Sequence, residues 1–316
     1  MTERAKVLVC DGIKEDGVAC LRPEYDVEIA GSFTPAELAA KIGAYDAVLV
    51  RSQTKVTKEV FAAAKQLKVV ARAGVGVDNI DLRAAKEAGV IVVNSPDGNT
   101  VAAAEQTLAL MFAVCRYTAE ADATMKARKW DKKALTGVEL NRKVLGVVGL
   151  GKIGSHVAMV AKALGMTVLA FDPTLTPAKA AEKGVQIAEL EELLAKADIV
   201  TLHSPLNAET KHMINAQRLA MMKPSARIVN AGRGGLIDEQ ALAEAIKAGK
   251  LAGAALDVFE QEPLGDSPLY DLGKKVVMAP HLGASTAEAQ EKVAVDVAEQ
   301  VGEILRGGKA RSPVTV

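Results

Sequence analysis

Cysteine is scarce in this sequence of 316 residues, which contains only Cys10, Cys20 and Cys115. The three are far apart, and no pair has the C-x-x-C spacing of a metal or redox site. An odd, scattered set argues against a disulfide framework, so we predict buried free thiols in a reducing compartment. Histidine, aspartate and glutamate also show no metal-ligand spacing, and we predict no metal site.

The sequence also lacks an excess of charge of either sign and any long apolar run. Lysine plus arginine and aspartate plus glutamate number 39 each, which gives no basic field for nucleic acid and no acidic tail. The longest uncharged apolar stretch in a helical context, Gln106–Cys115, is too short to span a bilayer. The N-terminus alternates charged and apolar residues and has no signal-peptide core. We therefore expect a soluble cytoplasmic protein without nucleic-acid or membrane partners.

Short apolar runs alternate with helical patterns along most of the chain. The strands predicted in the first hundred residues are Lys6–Cys10, Val27–Ala30, Ala47–Val50, Val69–Arg72 and Val90–Val93. A second series runs from Lys143 to Met278. Apolar runs too continuous for half-exposed strands, separated by helices, predict parallel sheets covered on both faces. Because the length favours two domains, we predict an α/β protein of two doubly wound parallel-sheet domains with a cleft between them.

Turn residues mark the expected borders between the two domains. Pro96-Asp97-Gly98 interrupts the first series, and a second hinge is predicted at Leu282–Ser285, before a closing helix at about 286–305. We therefore expect one domain of residues 1–97 plus 285–316 and another of residues 98–284. A single long helix, roughly Thr100 to Lys126, is predicted to open the second domain.

A glycine-rich loop follows the first strand of the second series. Strand Val144–Val148 runs into Gly149-Leu150-Gly151-Lys152-Ile153-Gly154 and then into a helical pattern. The first glycine permits a tight turn, the second lets a pyrophosphate approach the backbone, and the third allows close strand–helix packing. Asp172 ends the next strand, Thr167–Phe171, where a carboxylate accepts both ribose hydroxyls of NAD and repels a 2′-phosphate. The sequence therefore predicts an NAD site.

Three chemically capable side chains follow strands in the last third of the chain. Arg233 follows strand Arg227–Asn230, Glu262 follows Ala254–Asp257, and His281 follows Val276–Ala279. Because ligands bind beyond the carboxyl ends of parallel strands, we expect the three to converge. The arginine suits a carboxylate, the histidine suits proton transfer near neutral pH, and the glutamate would orient and charge the histidine. This trio predicts acid–base chemistry on an anionic substrate.

The other histidines and the nearby hydroxyls fit this chemistry less well. His156, His203 and His212 are interpreted as packed or cofactor-side residues. Ser285 and Thr286 lie near His281 in the sequence, but no strained elbow presents either as a nucleophile. The proton-transfer role therefore falls to His281.

With these motifs in place, the sequence resembles the NAD-dependent D-isomer-specific 2-hydroxyacid dehydrogenases over nearly its whole length. The segments RSQTKVT, ARAGVGVDNID and NSPDGNTVAAAEQT are most similar to substrate-domain and hinge motifs of the D-3-phosphoglycerate dehydrogenase subfamily. The resemblance implies a flavodoxin-like substrate domain and a Rossmann NAD-binding domain. It also implies oxidation of D-3-phosphoglycerate with NAD, the first step of serine biosynthesis.

The resemblance implies a role for each member of the trio and for its surroundings. His281 would be the general acid and base on the substrate hydroxyl, Glu262 would hold and charge it, and Arg233 would bind the carboxylate and polarise the carbonyl. Asp257 would face the nicotinamide carboxamide. The residues expected to contact the cofactor are Gly149, Gly151, Lys152, Ile153, Gly154, Asp172, Ser204, Ala231, Gly232, Arg233, Asp257, His281, Gly283 and Ala284.

The first domain would supply the remaining substrate contacts. Backbone amides of Gly74, Val75 and Gly76 would hold the substrate carboxylate, together with Arg233 and His281. The phosphate needs fixed positive charge, and its candidate ligands are Arg51 with Ser52 beside it, Arg72, and a lysine of the Lys132-Lys133 pair of a second subunit.

The sequence departs from its relatives at two of these positions. Lys152 stands where many relatives carry arginine, so the pyrophosphate contact is a point charge. Val75 replaces a common threonine, so a side-chain contact to the cofactor is lost. The sequence also stops about where longer relatives continue into regulatory domains, so we do not expect feedback by serine.

Two other functions stay open at this point. A sibling enzyme acting on glyoxylate, hydroxypyruvate or D-lactate would not need Arg51. A nucleotide-sensing scaffold of the corepressor type would keep the fold and bind partners, although the complete trio argues against it. We also expect a homodimer through the NAD-binding domain, because the helix at Thr100–Lys126, with Trp130 beyond it, is apolar on more than one face.

Overall fold

The structure, a computed structural model, describes residues 4–315 and divides into two compact units. The first unit comprises the chain up to Asn99 and from Ala284 onward, and the second comprises Thr100–Gly283. Each unit contains one parallel sheet, of five strands in the first and seven in the second. The predicted α/β class with two parallel-sheet domains is therefore confirmed. The predicted domain limits and the cleft stay predictions.

The first unit begins with a regular alternation of strands and helices. Its strands are β1 (Lys6–Val9), β2 (Asp26–Ile29), β3 (Ala47–Val50), β4 (Val69–Arg72) and β5 (Ile91–Asn94), in the sheet order β2-β1-β3-β4-β5. Its helices here are α1 (Glu15–Leu21), α2 (Pro35–Lys41), α3 (Lys58–Ala63) and α4 (Leu82–Glu87). The central strand β3 is buried at every position, whereas the edge strand β2 is mostly exposed. Continuous apolar runs thus mark the strands that helices cover on both faces.

The second unit contains the longer sheet. Its helices are α5 (Thr100–Arg116), α6 (Thr118–Lys126), α7 (Lys152–Ala163), α8 (Pro177–Lys183), α9 (Leu190–Lys196), α10 (Ala216–Leu219) and α11 (Glu239–Lys247). Its strands are β6 (Val144–Val148), β7 (Thr167–Phe171), β8 (Gln186–Ile187), β9 (Ile199–Leu202), β10 (Arg227–Asn230), β11 (Gly253–Leu256) and β12 (Val276–Met278). The sheet order is β12-β11-β10-β9-β6-β7-β8, so the strand order reverses between β6 and β9. Ligands of such sheets bind beyond the carboxyl ends of the strands at this reversal.

The prediction of one helix from Thr100 to Lys126 is wrong. Tyr117 adopts a left-handed conformation with φ of 54° and separates α5 from α6. The end of α5 is capped by groups that are distant in sequence. The backbone N–H of Val138 donates to Cys115 at 2.9 Å, and the guanidinium of Arg227 donates to the carbonyl of Val114 at 3.3 Å. These donors satisfy carbonyls that a continuing helix would have used.

The closing helix, α12 (Ala287–Leu305), belongs to the first unit. Thr286 caps it by accepting a hydrogen bond from the backbone N–H of Ala289 at 3.1 Å. Its apolar face shares a core with α1 and the sheet, and Gly17 lies against the backbone of Ala294 too closely for any larger residue. The chain thus leaves the first unit near Asn99 and returns to it near Ala284.

The cysteines differ in their surroundings. Cys10 and Cys115 are buried, and burial raises the pKa of Cys10 to about 12 and also raises the pKa of Cys115. The predicted burial is wrong for Cys20, which is exposed on α1. Within residues 4–315, no group of three or more histidine, cysteine, aspartate or glutamate side chains could hold a metal ion. No helix in this part of the chain is both long and apolar enough to cross a membrane.

Candidate active site

The glycine loop has the backbone that its sequence predicts. Gly149 has a φ of 91°, and a Cβ there would lie 2.7 Å from the carbonyl carbon of His203. A Cβ on Gly154 would overlap the carbonyl of Gly149. Both positions therefore require glycine, the first for the turn and the third for the packing of α7 against β6.

The second glycine of the loop faces open space. Gly151 is the N-cap of α7, and no atom lies within 4 Å of the position its Cβ would take. The unpaired N–H groups and the dipole at the start of a helix attract anions. Lys152, the first residue of α7, is exposed and adds positive charge, and Ile153 is half-buried. A pyrophosphate fits this position.

Asp172 lies beside this loop and is held rigidly. One carboxylate oxygen accepts a hydrogen bond from the backbone N–H of Leu150 at 2.8 Å, and the other accepts from the N–H and the hydroxyl of Thr174 at 2.8 and 2.7 Å. Burial raises the pKa of Asp172, but the hydrogen bonds from Thr174 and Leu150 and the charge of Lys179 outweigh it and lower the pKa overall. A fixed, ionised carboxylate suits ribose hydroxyls and opposes a 2′-phosphate.

A cavity of about 290 Å³ opens beside this carboxylate; besides Asp172 it is lined by Leu150, Thr174, Leu175, Lys179, Glu182 and Lys183. Together with the open space at Gly151, it provides room for a nucleoside next to room for a pyrophosphate. The residues of this chain therefore fit the dinucleotide that the sequence predicts.

His281 and Glu262 form the predicted pair. Nδ1 of His281 lies 2.6 Å from Oε2 of Glu262, while the other carboxylate oxygen accepts a hydrogen bond from the backbone N–H of Phe259 at 3.0 Å. Burial raises the pKa of Glu262, but these two hydrogen bonds and the charges of His281 and Arg233 lower it overall. The carboxylate is therefore ionised near neutral pH and able to orient the imidazole and stabilise its protonated form.

Arg233 stands on a tight turn after β10. Its guanidinium donates to the carbonyl of Gly232 at 2.8 Å, and its own carbonyl accepts from the side chain of Asn230 at 2.8 Å. A Cβ on Gly234 would overlap the carbonyl of Phe259, so the arginine turn packs directly against the loop that leads to Glu262. Because the charge of Arg233 acts on Glu262, the structure brings all three predicted catalytic side chains together.

Asp257 is the first residue after β11 and is fully buried. Its carboxylate accepts hydrogen bonds from the backbone N–H groups of Leu282 at 2.9 Å and Gly283 at 2.8 Å, and from the side chain of Gln106 at 3.1 Å. Asp257 thus fixes the turn that carries His281, whose N–H donates to the Asp257 carbonyl at 2.8 Å. Its predicted contact with the nicotinamide stays a prediction.

Sequence reasoning missed Gln106. It is the one amide at the start of the apolar stretch Gln106–Cys115 on α5, and that isolated polarity was the available signal. Ser204 and Ala231, two predicted cofactor contacts, follow β9 and β10 and are half-buried. Ala284 falls in the first unit, one residue beyond Gly283. Contact of these residues with a cofactor stays a prediction.

The candidate phosphate loop lies at the carboxyl end of β3 in the first unit. The carboxylate of Asp11 accepts hydrogen bonds from the backbone N–H groups of Arg51 and Thr54 at 2.8 and 3.1 Å and from the Thr54 hydroxyl at 2.5 Å. The side chain of Asn79 donates to the carbonyls of Arg51 and Thr54 at 2.8 and 2.7 Å. The loop is therefore held at both ends, and Ser52 is exposed between them. Asp11 and Asn79 were missed, because only their hydrogen bonds mark them.

The second candidate substrate segment follows β4. Gly74 has a φ of 144°, and a Cβ there would overlap the guanidinium of Arg72. The side chain of Asn94 donates to the carbonyl of Val75 at 2.6 Å, and Gly76 is half-buried. Backbone amides of residues 74–76 stay predicted, untested contacts of the substrate carboxylate.

A comparison with models of protein families matches residues 108–283 to "D-isomer specific 2-hydroxyacid dehydrogenase, NAD binding domain". The match covers more than half of the chain, and the chain belongs to this family. Residues 108–283 form its NAD binding domain. The resemblance inferred from the glycine loop and the trio is thereby confirmed, as is NAD as the cofactor.

Individual relatives agree with this assignment. The chain is 51% identical to D-3-phosphoglycerate dehydrogenase of Synechocystis sp. and 48% identical to that of Methanocaldococcus jannaschii, over 99% and 98% of its own length. It spans 56% and 59% of the lengths of these two curated relatives.

Solved structures of similar proteins match the chain almost end to end. The TT0316 protein of Thermus thermophilus is 37% identical with a TM-score of 0.90, over 98% of this chain and 100% of that chain. A glyoxylate reductase of Paecilomyes thermophila is 30% identical with a TM-score of 0.91, over 99% of each chain. The fold therefore occurs in a relative that is named as a glyoxylate reductase.

Proposed function

We propose that this chain oxidises D-3-phosphoglycerate to 3-phosphohydroxypyruvate with NAD, the first step of serine biosynthesis. The observation that carries the proposal is the assembled trio of Arg233, Glu262 and His281 in the unit that also contains the glycine loop. The identity of 45–51% to curated D-3-phosphoglycerate dehydrogenases favours this substrate over others of the family. We place the activity in the cytoplasm, where the free thiols of Cys10 and Cys115 stay reduced.

The trio divides the work of proton transfer and anion binding. His281 commits Nδ1 to Glu262, so Nε2 is the nitrogen that takes the proton of the substrate hydroxyl. Glu262, ionised, stabilises the imidazolium that results. Arg233 binds the substrate carboxylate with a planar fork and stabilises negative charge on the reacting oxygen. Bound NAD supplies the acceptor for the hydride that leaves the substrate carbon.

Specificity for a phosphorylated substrate is assigned to the first unit. Arg51 begins a loop that Asp11 and Asn79 hold in place, which lowers the cost of ordering a phosphate ligand. Arg72 stands at the end of the neighbouring strand β4. We assign the phosphate to these two arginines, assisted by a lysine of the Lys132-Lys133 pair of a second subunit.

A parallel substrate assay tests the proposal. The purified protein is given NADH with phosphohydroxypyruvate, hydroxypyruvate, glyoxylate or 2-oxoglutarate, and kcat/KM is measured for each. We expect phosphohydroxypyruvate to be the best substrate. Arg51→Ala should raise its KM about tenfold or more and leave the unphosphorylated substrates nearly unchanged, because a charge-assisted contact contributes roughly 1.5–3 kcal/mol.

The control variant is Arg83→Ala, which removes an exposed arginine of α4 in the same unit and should change no KM. Glyoxylate or hydroxypyruvate as the best substrate, with no effect of Arg51→Ala, would instead identify a sibling reductase. A protein that binds NADH but reduces none of the four compounds would support the corepressor-type scaffold.

We also propose that the protein is a homodimer that associates through the second unit. Four large apolar side chains of the segment from α5 to Trp130 are exposed: Val101, Phe112, Met125 and Trp130, at 52%, 40%, 53% and 81%. An apolar group of this kind on one segment is typical of an interface.

Light scattering at micromolar concentration should give twice the chain mass of 33.1 kDa. Trp130→Glu should weaken the dimer and Tyr270→Glu, at another exposed aromatic, should not; a wild-type monomer would refute the proposal.

A further inference from the structure

A second imidazole–carboxylate pair lies on the loops that carry the trio. Nε2 of His212 is 3.0 Å from Oε2 of Glu260, two residues before Glu262. His212 stands in a turn between β9 and α10 with a φ of 51°. Neither residue has a part in the proton transfer proposed above, and the sequence assigned neither a catalytic role.

Glu260 is also joined to Glu239, the first residue of α11, by two reciprocal hydrogen bonds. The backbone N–H of Glu260 donates to the Glu239 carboxylate at 2.6 Å, and the backbone N–H of Glu239 donates to the Glu260 carboxylate at 3.1 Å. Each glutamate thus uses its side chain to satisfy the other's main chain. This arrangement fixes the loop after β11 against the start of a helix.

The His212 segment is in turn bonded to the arginine turn. The backbone N–H of His212 donates to the carbonyl of Gly235 at 2.7 Å, and that of Ile214 donates to Leu236 at 3.0 Å. Gly235 is two residues from Arg233. The three segments that contain His212, Glu239 and Glu260 therefore connect the turn of Arg233 to the loop of Glu262.

The same three side chains, His212, Glu239 and Glu260, also interact electrostatically. Burial raises the pKa of Glu239, and the negative charges of Glu260 and Glu262 raise it further, whereas His212 lowers it. Glu262 is therefore within electrostatic reach of the cluster. Its own side chain is 36% exposed and is held by Phe259, on its own loop, and by His281 in the hydrogen bonds described above. The orientation of Glu262 depends on how firmly its loop is fixed.

We propose that His212, Glu239 and Glu260 form a positioning cluster that holds Glu262 against His281 and keeps the Arg233 turn in register with it. The inference rests on the proposed function only for its effect on turnover. The cluster does not touch the reacting atoms and acts through Glu262 and Arg233. Glu260 is its centre, because it contacts both other members.

Kinetics of paired variants test the proposal. Glu260→Ala should lower kcat about tenfold or more, while the Kd for NADH, measured by fluorescence, stays within about twofold. Glu260→Gln should retain kcat within about threefold, because its amide oxygen still accepts from the backbone N–H of Glu239 and its amide NH2 can donate to Nε2 of a neutral His212. In a Glu262→Gln background, Glu260→Ala should cost less than about twofold, since residues that act as one unit are not additive.

The matched control is Glu244→Ala, which removes an exposed glutamate of α11 whose carboxylate accepts a hydrogen bond from Gln240. It should leave kcat unchanged. His212→Asn is a second variant that disrupts the cluster, and it should lower kcat in the same way as Glu260→Ala. The proposal is overturned if Glu260→Ala turns over like the wild type, or if it costs the same factor with and without Glu262.

A spectroscopic measurement separates this proposal from the proposed function. The chain has four histidines, so ¹⁵N labelling of histidine gives a spectrum simple enough to assign by single variants. In the wild type, Nδ1 of His281 should carry the proton directed at Glu262. Glu260→Ala should move the His281 signals to those of Glu262→Gln, and Glu244→Ala should not. Unmoved signals refute the cluster whatever the turnover, and moved signals support it even if no 2-oxo acid is reduced.

Discussion

At the scale of single residues, the proposed role of His281 requires its two ring nitrogens to have different partners. Nδ1 is 2.6 Å from Glu262, and the backbone is held by Asp257 with a φ of 54°. The left-handed conformation is uncommon for a histidine and is maintained by the surrounding hydrogen bonds. The side chain remains 45% exposed, so Nε2 is accessible to a substrate.

Replacing His281 separates chemistry from cofactor binding. His281→Ala should lower kcat by about 10²–10⁴-fold, the usual contribution of a positioned acid or base. The Kd for NADH should stay nearly intact, because Asp172 and the glycine loop are unaltered. Stopped-flow turnover and fluorescence titration of the same samples measure the two effects. Turnover equal to that of the wild type would rule out the assigned role.

The sequence predicts residues whose chemistry is visible in a short motif. Gly149, Gly154 and Asp172 were found because each has a distinct physical requirement at a fixed spacing, and the structure places them accordingly. Gln106 and Glu260 were not found, because their partners are 151 and 21 residues away. A hydrogen bond between distant segments leaves no pattern in the local sequence.

At the scale of elements, burial on both faces made the strands predictable. The predicted bounds of strands at Ala47–Val50, Val69–Arg72, Thr167–Phe171 and Arg227–Asn230 are those of the structure. Helix α12 was also predicted to within a residue of its start, since Thr286 is a good N-cap. A continuous apolar run and an N-cap residue both involve residues that are adjacent in the sequence, so both can be recognised from it.

The break between α5 and α6 could not be predicted in the same way. No glycine or proline stands at Tyr117, and the residues that follow it include several good helix formers, alanine, glutamate, methionine and lysine. The helix ends because Val138 and Arg227 donate hydrogen bonds to its last carbonyl groups. Both donors come from other parts of the unit. Where tertiary contacts compete with helical hydrogen bonds, propensity is a weak guide.

At the scale of the whole molecule, the equal numbers of acidic and basic residues do not show that several groups have a lowered pKa in the folded chain. Burial lowers the pKa of His203 from 6.5 to about 4. Several carboxyl groups of the second unit, among them those of Asp172, Asp198 and Glu262, also have lowered pKa values. A carboxyl group of this kind adds stability above its unfolded pKa, and that stability is lost as the pH falls through its folded pKa. The acid side of the stability curve therefore has two windows, which overlap between about pH 4.5 and 4.

The upper window belongs to His203. Between pH 6.5 and about 4 the unfolded chain binds a proton at this residue that the folded chain does not, so the free energy of unfolding falls as the pH falls. One such proton gives a slope of at most about 1.4 kcal/mol per pH unit. His203→Gln removes the titrating group and offers an amide to the hydroxyl of Thr201, which lies 3.0 Å from Nε2. Its stability should therefore depend less on pH than that of the wild type.

Urea unfolding of the cofactor-free protein at intervals from pH 7.5 to 4.5 measures this difference. Taking variant against wild type cancels the contributions of the carboxyl groups, both those with a lowered pKa and that of Glu239, whose raised pKa favours folding as the pH falls. His156→Gln, at a histidine of α7, is the matched control and should follow the wild-type slope. Parallel curves for His203→Gln and the wild type would show that His203 protonates equally in both states, and the burial of its imidazole would then have no effect on acid stability.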